Sequence, residues 1–114
     1  MESILSVYLG VKMTGMIQVV VFYSIKANAD TQFAQLFSTV RENVLREPGC
    51  IQYELFVSPY NPLRFCLVEK WATQASLDAH LATKQLAEFR VKSNELFADK
   101  SIVEIKTIAS ERII

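Results

Sequence analysis

Three side chains able to handle a proton or an electron-rich ring fall close together in this chain. Glu69 and Trp71 end the alternating run Arg64-Phe65-Cys66-Leu67-Val68-Glu69-Lys70-Trp71, and His80, the sole histidine, lies on the short helical stretch that follows. An imidazole, with a reference pKa near 6.5, can take a proton at neutral pH. Glu69 is the one acid on the apolar face of its strand, so it must be paired with a donor or raised in pKa, and it could also orient His80. A base of this kind in a dry apolar pocket can ionise a phenol or quinol, whose anion can itself pass an electron to O2. The protein then supplies the base, a shaped cavity and shielding from water. Tyr53, Phe33, Phe37, Leu67 and Phe89 are the candidates to wall that cavity around a small aromatic substrate and O2.

The same residues suit a purely structural part. Apolar and aromatic residues at strand and helix spacing are what a core requires, and a helix histidine beside a tryptophan is commonly a hydrogen-bonded packing residue. Glu69 can equally hold a neighbouring donor. Arg41, Glu42, Arg46 and Glu47 read as a solvated helix face, and Cys50 and Cys66 as small buried hydrophobes.

Periodicity supplies the elements that would position these groups. Ile17 to Tyr23 is a nearly continuous apolar, β-branched run, which suits a central strand. Asn28 or Asp30 can cap a helix in which Phe33, Leu36, Phe37, Val40 and Val44 form one stripe, ending at Glu47-Pro48-Gly49. Strands Ile51 to Ser58 and Leu63 to Trp71 flank Pro59-Tyr60-Asn61-Pro62 and should form a hairpin. Thr73 caps the helix of Ala75, Leu77, His80 and Leu81; a further stretch carries Leu86, Phe89 and Phe97, and a last strand spans about Ile102 to Ala109. This order predicts an α+β, ferredoxin-like split βαβ fold: an antiparallel four-stranded sheet with helices on one face.

If opposed hairpin residues have numbers that sum to an even value, Ile51, Tyr53, Leu55 and Val57 share the helix-covered face with Phe65, Leu67, Glu69 and Trp71. The other face keeps Phe56, Cys66 and Val68 in its middle, which predicts a homodimer built through the sheet. In that register Cys50 lies near Lys70 and Cys66 near Glu54 or Phe56, too far apart for a disulfide.

Composition narrows the classes. The chain has 114 residues, 51% of them hydrophobic, with only three Gly and three Pro, which fits one domain with a real core. Twelve basic and twelve acidic residues give no field to attract nucleic acid or an anionic membrane. Residues 1–15 lack the basic start and cleavage site of a signal peptide and are too short an apolar stretch to span a bilayer. With two cysteines this predicts a cytoplasmic protein. Met16 opens the strand pattern, so residues 1–15 read as an extension, either an edge strand or an upstream start, 16–110 as the domain and 111–114 as a tail. One His and two distant Cys cannot assemble a zinc or iron site, and no Gly-rich phosphate loop or nucleophile elbow is present. An enzyme of this sequence would work without metal or cofactor.

Glu47-Pro48-Gly49-Cys50, Tyr53-Glu54-Leu55, Phe65-x-Leu67-x-Glu69-x-Trp71 and Leu77-x-x-His80 with Thr83 and Phe89 together resemble the antibiotic biosynthesis monooxygenase domain. The resemblance covers about Met16 to Ala109 and implies a dimeric α+β barrel. Members include cofactor-independent oxygenases of quinols and aromatic polyketides, haem-degrading enzymes and a signal-molecule isomerase. Haem-degrading members carry an Asn on the first strand, which Val20 to Tyr23 lacks. Anthrone oxygenases carry an Asn where Leu67 stands, and many quinol-type relatives read His-x-x-Thr-x-His where this chain has Gln85.

Three functions follow. The first is a cofactor-independent monooxygenase of a quinol or related small aromatic, with His80 as base. The second is an isomerase or proton-transfer enzyme on a small polar metabolite, against which stands the scarcity of cationic side chains near the expected cleft. The third is a non-catalytic, small-ligand-binding or stress-associated dimer.

Overall fold

The computed structural model describes residues 11–13 and 15–112. Within them the chain runs β1 (Val11–Met13), β2 (Ile17–Ser24), α1 (Asp30–Val44), β3 (Cys50–Val57), β4 (Arg64–Trp71), α2 (Gln74–Leu81), α3 (Lys84–Asn94), β5 (Ile102–Thr107) and β6 (Ser110–Arg112). The main sheet has the order β3-β4-β2-β5 with every neighbour antiparallel, the expected split βαβ arrangement. Alternation sends Val19, Val21, Tyr23, Tyr53, Phe65, Leu67, Glu69 and Trp71 to one buried face. Phe33, Phe37 and Val44 of α1, Leu77 and His80 of α2, and Leu86 and Phe89 of α3 pack on it. No helix among the described residues is long and apolar enough to cross a membrane.

The hairpin register follows the even-sum rule over most of its length, with Tyr53 opposite Glu69 and Leu55 opposite Leu67. A bulge between Cys50 and Gln52 breaks it at one end, so Cys50 lies opposite Trp71 rather than beside Lys70. One extra residue in a strand reverses the side its neighbours face, which is why Ile51, expected on the inner face, is 51% exposed. Both cysteines are free thiols.

Three further expectations change. The N-cap of α1 is Ala29, with no side-chain cap; Asn28 instead occupies the left-handed region at φ 67° and Asp30 is the first helical residue, where its charge complements the helix dipole. Phe97 lies beyond α3, bridged to Ile25. Arg41 is not simply solvated: its Nε donates to the Tyr53 carbonyl at 2.7 Å, occupying an acceptor on the outer edge of β3. Residues 11–13 of the expected extension pair with 110–112, and Lys70 Nζ meets Glu111 Oε1 at 2.6 Å beside this ribbon. Residues 1–10, 14 and 113–114 of the extension and tail lie outside the described residues.

The turn from α1 into β3 depends on Gly49, which holds φ 81° and whose missing side chain leaves room for Ser76, 2.5 Å from where a Cβ would stand. Ser76 closes the reciprocal cap of α2 with Thr73. Gly49→Ala should therefore cost roughly 2–3 kcal/mol, by left-handed strain and the clash together, read as a loss of melting temperature. A change below 1 °C would show that the turn relaxes freely.

Candidate active site

Glu69 and Trp71 stand two residues apart on one strand, hence on one face, and Trp71 Nε1 donates to Glu69 Oε1 at 3.0 Å. The Thr73 cap starts α2 so that Leu77 and His80, three residues apart, both turn toward the sheet. The imidazole stacks on the Trp71 indole with centroids 4.5 Å apart at 29°. Its Nδ1 is 3.0 Å from Glu47 Oε1 and its Nε2 is 3.7 Å from Glu69 Oε1. Gln85 Nε2, from the first turn of α3, donates to the other oxygen of Glu47 at 2.7 Å. The imidazole thus sits between two acids, in hydrogen-bond contact with one and just beyond reach of the other.

Burial acts on this pair in opposite chemical senses. It lifts the Glu69 carboxyl to about 7, against smaller lowering contributions from the Trp71 N–H and Arg90. It holds His80 below its usual value, although Glu47 opposes the shift. A neutral imidazole whose Nδ1–H is given to Glu47 presents the lone pair of Nε2 toward Glu69.

The pair opens on a cleft of about 350 Å³, a size suited to a small ligand. Its floor is the inner face of the sheet, with Tyr53, Glu69, Val19 and Ile105 in one row across the strands and Leu67, Val21 and Val103 in the next. Its roof is Leu77, His80 and Leu81 of α2 and Leu86, Phe89, Arg90, Ser93 and Asn94 of α3. Among the described residues no group of three or more His, Cys, Asp or Glu is arranged to hold a metal ion.

Of the residues expected to form the site, Glu69, His80, Tyr53, Leu67 and Phe89 line this cleft. Trp71 does not; it is fully buried behind His80 and Glu69. Phe33 and Phe37 are core instead of cleft wall: Phe33 packs against Tyr23, Phe65 and Phe89, and Phe37 stacks on Tyr53 at 5.4 Å. The helical stripe puts them on the sheet at β3 and β4, whereas the cleft opens under α2 and α3. Sequence reasoning missed Glu47, which was assigned to the solvated face of α1 but lies in the turn after that helix, where helical phase no longer applies. It also missed Arg90, a cation on the cleft where few were expected, and Tyr23 and Ser101. The Glu-Pro-Gly turn was the one available signal for Glu47.

The raised Glu69 has a thermodynamic consequence. Between pH 4.5 and about 7 the folded chain holds a proton that the unfolded chain has released, so this contribution to stability is present at acid pH and is lost as pH rises through 7. Glu69→Gln removes the titration and retains an oxygen for Trp71. The melting temperature of the variant relative to the parent should therefore rise from pH 5 to pH 8, by the equivalent of up to about 3 kcal/mol. A difference that does not vary with pH would show Glu69 ionised throughout.

Comparison with known proteins places this geometry in a family. The sequence profile of antibiotic biosynthesis monooxygenases matches residues 16–92. A solved antibiotic biosynthesis monooxygenase is 27% identical, covering 81% of this chain and 97% of its own at a TM-score of 0.75. A protein from Shewanella oneidensis is 28% identical, covering 84% and 94% at 0.76, and a conserved protein from Methanosarcina mazei Go1 is 26% identical, covering 81% and 91% at 0.78. No curated protein matches the sequence. With its family profile matched over more than half its length, and with the same fold in these structures, the chain belongs to the antibiotic biosynthesis monooxygenase family.

Proposed function

We propose that this protein is a cofactor-independent monooxygenase that oxidises a quinol or related small aromatic with O2, acting in the cytoplasm as a homodimer. The observation that carries this reading is a proton-accepting pair, His80 and Glu69, buried together yet open to a cleft whose walls beside them are apolar. A substrate hydroxyl lying against the pair gives its proton to His80 Nε2. The imidazolium that forms is favoured by Glu47, which takes its Nδ1–H, with Glu69 3.7 Å from the other nitrogen. Trp71 is a positioning group: it backs the imidazole and fixes Oε1 of Glu69.

Deprotonation makes the ring a one-electron donor. It passes one electron to O2, the ring radical and superoxide join at a ring carbon bearing hydrogen, and the hydroperoxide loses water to leave a carbonyl. One atom of O2 stays in the product and the other leaves as water, so a quinol becomes a hydroxyquinone and no further reductant is consumed. The apolar walls serve this sequence by excluding water from the reactive anion.

The sheet face away from the helices supports the dimer. Register aligns Phe56, Cys66, Phe22 and Ile102 in one row across the four strands, with Val68 and Val20 beside them. Phe22, Phe56 and Ile102 are 40%, 49% and 61% exposed, an apolar band that an isolated chain would leave wet.

Oxygen uptake by the protein with a panel of quinols and naphthols tests the chemistry. Uptake should occur with at least one of them and fall by about 100-fold or more in His80→Ala, a loss typical of a general base. It should fall less in Glu47→Gln, which keeps an acceptor for Nδ1. No uptake with any member, or uptake equal in His80→Ala, would overturn the reading. Light scattering should give twice the 13.0 kDa chain mass, and Phe22→Asp should reduce it to the single-chain value with folding preserved. A monodisperse single-chain mass for the parent protein would remove the dimer.

A further inference from the structure

The end of the cleft away from His80 is polar. Val19 lies opposite Glu69 and Tyr23 opposite Phe65, four residues further along β4, which at the rise of a strand is about 13 Å. Continuing the β2 and β5 register past Phe22 and Ile102 brings Ser101 beside Tyr23. On the roof, α3 starts at Gln85 and Leu86 near Glu47 and runs toward Asn94, so Arg90 and Asn94, one turn apart, sit over this end. Among the described residues the Arg90 guanidinium makes no hydrogen bond or ion pair; Ser93 Oγ reaches only its backbone carbonyl. Among the described residues the Ser101 hydroxyl is the one buried side-chain oxygen without a partner; Tyr23 is 8% exposed, and Arg90 and Asn94 are exposed to solvent. Burial without a partner costs the Ser101 hydroxyl free energy that a bound acceptor would recover, and the exposed Arg90 guanidinium beside it is free to pair with an anion.

All of these groups are donors, one carries a positive charge, and no acid lines this end; Glu69 is at the other. Arg90 is also felt inside the cleft, where its charge opposes the burial-raised pKa values of Tyr23 and Glu69. Resting on the reading of the cleft as an aromatic-substrate site, we propose that the substrate carries a carboxylate at the end opposite its ionising hydroxyl, paired with Arg90 and hydrogen-bonded by Tyr23, Asn94 and Ser101. A two-ring hydroxy acid spans most of the distance between the two ends, its rings against Val21, Leu67 and Phe89. The pairing fixes the direction of entry: the hydroxyl goes to His80 and the acid group to the guanidinium, whose fork matches a carboxylate.

Binding of 6-hydroxy-2-naphthoate and of 2-naphthol, followed by fluorescence under argon so that no turnover intervenes, tests this in the parent protein and in Arg90→Gln and Arg90→Lys. The acid should bind about tenfold more tightly than the neutral naphthol in the parent, the ratio should collapse toward one in Arg90→Gln, and Arg90→Lys should keep part of it. Equal affinity for the two probes in the parent, or a preference that survives Arg90→Gln, would overturn the proposal. An Arg90-dependent preference in a protein that consumes no O2 with any quinol would sustain the carboxylate site and remove the monooxygenase reading. Oxygen uptake with neutral quinols and no preference for the acid would do the reverse.

Discussion

Two ionisable side chains inside an apolar core set the constraint on which the site depends. Glu69 is 5% and His80 1% exposed, and neither is tolerable there without partners. Trp71 answers for both, giving its N–H to Glu69 and its indole face to the imidazole. That fixes where α2 must lie on β4, and the reciprocal cap at Thr73 and Ser76 fixes where α2 begins. Glu47 then completes the imidazole's contacts from a turn that closes only because Gly49 lets Ser76 approach its backbone. The site is thus assembled from one strand, one helix start and one glycine turn, each of which would also serve ordinary folding.

The cleft exists because the helices do not cover the whole sheet. The inner-facing residues of β3, β4 and β2 are mostly buried under α1, α2 and α3, but Val103 and Ile105 of the edge strand β5 are each 55% exposed. They face the space beneath α3, and this uncovered strip is the cleft floor on its open side. The opposite face of β5 carries Ile102 in the apolar band across the sheet. One edge strand therefore borders both the cleft and the exposed apolar band, so the pairing of two chains proposed above would bear on the shape of the cleft as well as on stability.

Much of the fold was legible in the sequence because it rests on local period and turn chemistry. Strand alternation, the Thr73 cap and the proline turn each leave a pattern within a few residues, and their order specifies the sheet. The triad Glu69, Trp71 and His80 was visible for the same reason, lying within one strand and the helix after it. What failed to show was whatever depends on distant segments meeting. Glu47 and His80 are 33 residues apart, and nothing in the Glu-Pro-Gly turn says that its acid points inward. Phe33 and Phe37 matched the composition of a cleft wall as well as that of a core, and only the docking of α1 against β3 and β4 decides between them. The bulge at Ile51 left no Gly or Pro to announce it.

Gln85 shows how a departure from a family pattern can preserve structure while narrowing chemistry. Where many quinol-type relatives have a second histidine, this chain places an amide that donates to Glu47 at 2.7 Å. An amide holds the carboxyl in position but cannot titrate, so the proton inventory around the imidazole reduces to His80 and its two flanking acids. Of those acids Glu69 alone faces the cleft, and Glu47 is tied on both oxygens, one to the imidazole and one to the amide. Glu47 is thereby occupied as a support, and under the proposed reaction the exchange of protons with a substrate would fall to His80 and Glu69. In this chain the Gln85 amide holds Glu47 against the imidazole without adding a further titrating group behind it.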